Sequence, residues 1–184
     1  MAMMYSCPNG QPSHSLDVIA NFRMTLKYEI IYNNDIKDNH RTVFGDFLKR
    51  QGKVKGDLLK KADRCKFICI ATLDENPIAI GGIKPKTTED FKKDKADLTD
   101  LGDSFEWELG YLYTDTKHSG KGIASNVSKL LLEEFGKENI MASTEITANP
   151  RMVKILEKYG FRHYGKPWKS GIHENYLGLF LKFK

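Results

Sequence analysis

The sequence predicts an α/β fold: a mixed, mostly antiparallel sheet of about six to seven strands flanked by helices. Three observations carry that expectation. Runs rich in β-branched residues come first and pair across short polar turns. Two helical patterns then alternate with strands, which is the order that builds a partly parallel second half. Between them, Lys117-His118-Ser119-Gly120-Lys121-Gly122-Ile123-Ala124 puts two glycines where a strand hands over to a helix. With 184 residues and no shift in composition, the chain reads as one domain over 26–184, preceded by a flexible leader, residues 1–25, with room for an N-terminal helix.

The elements follow in order. Leu26 to Tyr32 (LKYEIIY) reads as the first strand, closed by Asn33-Asn34-Asp35. Residues 39–51 carry Val43, Phe44, Phe47 and Leu48 at helical spacing and stop at Gly52, and a second short helix is expected over 56–62. Residues 66–73 and 77–83 form a hairpin around Asp74-Glu75-Asn76. A polar loop fills 84–104, and FEWELGYLYT over 105–114 is the fourth strand. Ile123, Val127, Leu130, Leu131 and Phe135 then mark an amphipathic helix ending near Gly136. A fifth strand spans 140–148. Asn149 as N-cap and Pro150 at the first helical position open a short helix that Gly160 closes. Residues 161–164 and 176–183 supply the last two strands.

Composition narrows the functional classes. The apolar fraction of 40% suits a folded globular domain, and the longest uncharged apolar run, Phe67 to Leu73, is too short to cross a bilayer. The expectation is a cytoplasmic protein with no membrane partner. Cys7, Cys65 and Cys69 are odd in number and have no metal-ligand spacing, so neither a disulfide framework nor a metal is expected. The net charge of +5 is unevenly spread: 49–66 holds eight basic residues against two acids, whereas 85–108 holds eight acids against four lysines. The acidic stretch suggests attraction of a cationic acceptor. The basic stretch lacks interleaved aromatics, and no nucleic-acid partner is expected.

The glycine turn carries the chemistry. Without a Cβ, Gly120 and Gly122 take backbone angles closed to other residues, letting successive N–H groups converge on an anion. The helix that follows adds its own unpaired N–H groups and the positive end of its dipole. A Walker A loop is excluded because Gly120-Lys121 is followed by Gly122 and position 115 is Asp. A dinucleotide fingerprint fails as well, with Ser125 where its last glycine belongs.

The ordered set of motifs resembles the Gcn5-related N-acetyltransferase (GNAT) superfamily, whose signature [Q/R]-x-x-G-x-[G/A] follows the fourth strand. Residues 117–122 stand at that signature, NPRMVKILEKYGF resembles the family's Asn-led helix, and DENPIAIGGI resembles its second and third strands. The resemblance implies a GNAT-like fold and acetyl-CoA as cosubstrate, with no metal. It implies that Lys117, His118, Ser119, Gly120, Lys121, Gly122, Ile123 and Ala124 hold the pyrophosphate. Backbone of Leu112, Tyr113 and Thr114 would pair with the pantetheine arm and Asn149 would bond it from the other side; an extended arm can join a sheet where two strands splay. The chain departs from the family at Lys117, where Gln or Arg is usual, and at Leu156, where a tyrosine often protonates the departing thiolate.

Acetyl transfer to an amine needs a base, oxyanion donors and finally a proton for the thiolate. Glu106 and Glu108, alternating along the fourth strand, are the candidate catalytic bases, with Glu145 on the next strand a third by analogy with relatives that acetylate protein N-termini. The expected activity is direct acetyl transfer to a primary amine, on a small molecule or a protein, through a ternary complex. A catalytically silent acyl-CoA-binding or regulatory module is the alternative that Leu156 leaves open, and a homodimer is left open too.

Overall fold

The computed structural model describes residues 24–184; the leader and Cys7 lie outside the described residues, apart from the leader's last two positions. Seven strands form one sheet in the order β1-β2-β3-β4-β5-β7-β6. Strands β1 (Leu26–Tyr32), β2 (Phe67–Leu73), β3 (Asn76–Pro85) and β4 (Trp107–Thr114) pair antiparallel in succession. β5 (Ile140–Glu145) is parallel to β4, while β7 (Tyr176–Lys182) slots antiparallel between β5 and β6 (Arg162–Lys169).

Among the described residues, three α-helices cover the sheet: α1 (Asp38–Gln51), α2 (Ile123–Phe135) and α3 (Pro150–Lys158). The apolar stripe of α2, Ile123, Val127 and Leu131, packs with Cys69, Ala79, Ile83 and Leu109 on one face. Met152, Val153 and Leu156 of α3 extend that cluster. On the other face Phe44, Phe47 and Leu48 of α1 meet Ile31, Ile68, Ile70 and Ile80. The alternation of β2 and β3 therefore feeds two cores, one per face, as the period-two pattern requires.

Several expected elements differ from their observed form. The second short helix is a 3-10 turn, Leu59–Arg64, and the polar loop of 84–104 contains two more, Thr88–Phe91 and Thr99–Ser104, pinned by buried Phe91 and by Phe105. β6 runs on to Lys169 because a register shift between Tyr164 and Trp168 lets it resume pairing with β7 beyond Gly165 (φ +70°). β5 stops at Glu145, short of 148.

One irregularity positions the site. Opposite Gly81 of β3, strand β4 presents two residues, Tyr111 and Leu112, because the register jumps between Ile80↔Tyr113 and Gly82↔Gly110. Tyr111 adopts φ +58°, a left-handed conformation that costs a non-glycine residue on the order of 1 kcal/mol. Its ring repays this by packing edge-on against Phe44, at 5.6 Å between centroids. Such a bulge bends and twists its strand. β4 and β5 consequently pair only at Trp107↔Ile140 and Glu108↔Met141 before they part.

Candidate active site

The gap between β4 and β5 opens into a cavity of about 550 Å³. Its lining is apolar at Leu109, Leu112, Met152 and Leu156 and polar at Lys84, Glu108, Tyr111, Glu145, Asn149 and His173.

The donor side is made mainly of backbone. Gly120 (φ +81°) and Gly122 (φ +78°) both sit in the left-handed region, and no atom lies within 4 Å of where a Cβ would stand, so backbone angle rather than space demands glycine there. The N–H groups of Lys117, His118 and Ser119 are taken by Asp115 and Thr116. From Gly120 to Ser125 the N–H groups meet no acceptor among the described residues, the first turn of α2 being closed only by Asn126 N–H on Gly122 O. Six successive free donors at a helix start are chemically suited to an anion. Two side-chain atoms nearby, Thr114 Oγ1 and His118 Nδ1, are buried without a partner. Arg151 of α3 donates to Ser119 Oγ at 3.1 Å, placing a guanidinium beside the turn.

Asn149 stands at the N-cap position but its side chain caps nothing. Its amide instead points to Thr144 Oγ1 at 3.4 Å, within the cavity wall. The carbonyl of Leu112 accepts from Gln51 Nε2 at 3.0 Å and keeps a second lone pair.

The two glutamates expected on β4 part company. Glu106 precedes the strand, is exposed, and lies by a separate depression with Ser104, Asn139 and Lys184. Glu108 is buried in the main cavity. Its Oε2 accepts from Thr87 N–H (2.9 Å), Thr87 Oγ1 (2.7 Å) and the Lys84 ammonium. Oε1 has no hydrogen bond among the described residues and lies 3.5 Å from the point a Cβ on Gly110 would occupy. That same Cβ would meet Lys84 Cε at 2.9 Å, so glycine at 110 leaves room for the pair.

Glu145, at the end of β5, is a hub. Lys53 pairs with its Oε2, while Asn175 Nδ2 and His173 Nε2 both reach Oε1 at 3.0 Å. Burial alone would raise this carboxyl, but the Lys53 and Asn175 bonds and the charges of Lys53 and His173 hold it below the usual range. His173 Nδ1 in turn accepts the N–H of Asn175 at 3.2 Å. Lys55 Nζ also reaches Gly171 O at 3.3 Å. Together these contacts tie the loop after α1 to the hairpin between β6 and β7, across the β4–β5 gap.

Asp90, on the 3-10 turn Thr88–Phe91, was hidden from sequence reasoning in the polar loop. It is buried in the cavity wall beside Lys95, at 3.0 Å from Asp90 Oδ1, and Ser143. Burial and then the charge of Glu108 push its carboxyl above the usual range. No local motif marks Lys84, Thr87, Asp90, Gln51 or Lys53 as site residues; only the fold gathers them.

A family model described as the Acetyltransferase (GNAT) family matches residues 28–161. Among solved structures, a chain of the NatC complex bound to Gag peptide and CoA superposes with a TM-score of 0.65 at 13% identity, over 88% of this chain and 99% of that one. Naa50 of Arabidopsis thaliana, in complex with the bisubstrate analogue CoA-Ac-MVNAL, gives 0.62 at 14% identity over 85% and 99%. The ribosomal-protein-S18-alanine N-acetyltransferase of Escherichia coli gives 0.58 at 10% identity over 85% and 93%. No curated protein matches the sequence.

Proposed function

The chain belongs to the acetyltransferase (GNAT) family, and we propose that it moves the acetyl group of acetyl-CoA directly to a primary amine within a ternary complex. The observation that carries this reading is the alignment of the free N–H groups of Gly120 to Ser125 with the parted edges of β4 and β5. Pyrophosphate on the turn directs the pantetheine arm along Leu112, Tyr113 and Thr114, with Asn149 opposite, and brings the thioester to the cavity. Neighbours solved with CoA or a CoA conjugate share the fold and add weight to this cosubstrate.

The acceptor arrives as an ammonium, and Glu108 Oε1, the unbonded oxygen, takes its proton. The freed nitrogen attacks the thioester carbonyl, forming the C–N bond and a tetrahedral oxyanion that backbone N–H near Leu112 stabilises. Collapse breaks the C–S bond, and the thiolate leaves with its electron pair; the amine's second proton is released as the amide forms. Leu156 offers no proton there. Tyr111 is the one tyrosine lining the cavity, but burial pushes its phenol up to about 12. Giving that proton to a thiolate of ordinary pKa about 8.5 is uphill by roughly three orders of magnitude, so the thiolate departs unprotonated.

Direct transfer is favoured over an acetyl-cysteine intermediate because Cys65 and Cys69 are both buried and pushed up to about 12, leaving neither as a thiolate at neutral pH. Initial rates of thiol release, measured while acetyl-CoA and an amine are both varied, test this. Intersecting double-reciprocal lines are expected; parallel lines, the mark of a covalent intermediate, contradict it.

A further inference from the structure

We infer that the acceptor is a small amine bearing its own anionic group, a carboxylate or phosphate, held by Lys61, Arg64 and Lys84; this rests on the site being an acetyl-CoA-dependent amine acetyltransferase. The acids of the cavity wall are all matched. Four acids line it, and each already faces a cation: Glu108 with Lys84, Glu145 with Lys53, Asp90 with Lys95 and Glu89 with Lys92. The wall is therefore not a receptor for a second positive charge, contrary to what the acidic stretch over 85–108 suggests from sequence.

The cations are in surplus. Lys55 and Lys86, also in the wall, are satisfied by the carbonyls of Gly171 and Gly102. Lys61 and Arg64, also in the wall, make no side-chain hydrogen bond or ion pair among the described residues; Asp57, the acid whose charge reaches Lys61, is paired with Lys60. Lys61 and Arg64 stand beside Lys84, whose side chain is only 11% exposed. Lys61 is half-buried, and burial followed by the charges of Arg64 and Lys84 holds its ammonium below the ordinary lysine value. Lys84 is matched by Glu108, so three neighbouring cations share one carboxylate; the excess positive charge is self-repelling, and a bound anion relieves that repulsion.

The phosphates of coenzyme A do not fill this role, because Gly120 to Ser125 are outside the cavity lining. Lys84 links the two functions: it bonds Glu108, the proposed base, and belongs to the cation group. An acceptor with its amine at Glu108 and its anion at Lys61 and Arg64 thus needs only a short spacer. A small molecule fits better than a polymer, since Lys53 and Lys55 tie the loop after α1 across the gap to Glu145 and Gly171.

The test compares four short amines as acceptors in a thiol-release assay: β-alanine, O-phosphoethanolamine, ethanolamine and putrescine. At least one anionic amine, carboxylate or phosphate, is expected to exceed ethanolamine and putrescine by about ten-fold or more in kcat/KM. Which of the two leads identifies the anion. Arg64→Glu, at an exposed position, should cut that preference about ten-fold through KM while leaving calorimetric acetyl-CoA affinity unchanged. A preference for ethanolamine or putrescine in the wild-type protein overturns the inference, whatever the variant does. So does turnover of an acidic peptide with both anionic amines inert. Failure of acetyl-CoA itself to bind overturns both this inference and the reading of the site.

Discussion

The two parts of the proposed site are built from different materials. The proposed donor wall is backbone: free N–H groups from Gly120 to Ser125, beyond the cavity lining, and strand edges that part after Glu108↔Met141. The acceptor wall is side chains from four separate segments, knitted by ion pairs on Glu108, Glu145 and Asp90. Backbone recognition tolerates exchange of most side chains but fails when a special φ is lost. Side-chain recognition fails one charge at a time, and each loss has its own pH signature.

The largest effect tests the acceptor wall. Glu108→Gln keeps the shape and the Thr87 contacts but removes the base; kcat is expected to fall about 100-fold or more, with acetyl-CoA affinity within two-fold of wild type. Steady-state kinetics with parallel calorimetry separates the two. The same substitution at exposed Glu106 should change kcat by less than about two-fold. Equal losses at both positions would erase the distinction drawn here between the two glutamates.

Next comes the donor wall. Gly122→Val forces a β-branched residue to φ +78°, at a cost of about 1–3 kcal/mol, and should weaken acetyl-CoA about 10- to 100-fold. The same strain lowers stability, read from the thermal midpoint, by no more than those about 1–3 kcal/mol, because no packing contact is lost.

What was legible in the sequence follows the same division. The glycine turn, helix α2 and the Pro150 helix start are local signals, written in consecutive residues, and the structure has all three where the sequence puts them. Strands β1 to β3 were legible as well, because apolar runs and a polar turn fix a hairpin within one segment. The bulge at Tyr111 was not: a non-glycine residue at positive φ is imposed by tertiary packing on Phe44 and leaves no mark on FEWELGYLYT. Nor was the convergence of Lys53, His173 and Asn175 on Glu145, which joins residues up to 122 positions apart. Asn149 shows how local logic misleads, since its N-cap position is real and its capping bond is absent.

Smaller effects probe the buried carboxylates. Glu145 is held below its unfolded pKa, so the unfolded chain binds the extra proton and stability is lost as pH falls through the Glu145 transition. Asp90 is raised, so the native state binds the extra proton, and its contribution falls as pH rises instead. Acid titrations of denaturant midpoints should therefore become shallower in Glu145→Gln and steeper in Asp90→Asn. A similarly small change is expected for Tyr111→Phe, which keeps the ring on Phe44: kcat should stay within about three-fold if the thiolate leaves unprotonated. A 100-fold loss would instead make that phenol the proton donor.

The central claim, that a backbone cradle at Gly120 to Ser125 holds the pyrophosphate of acetyl-CoA, is tested most directly by calorimetric titration of acetyl-CoA into the wild-type protein and Gly122→Val side by side. Saturable one-to-one binding that weakens about 10- to 100-fold in the variant is the predicted result. No binding to the wild type at millimolar ligand, or equal affinity in both proteins, would contradict it.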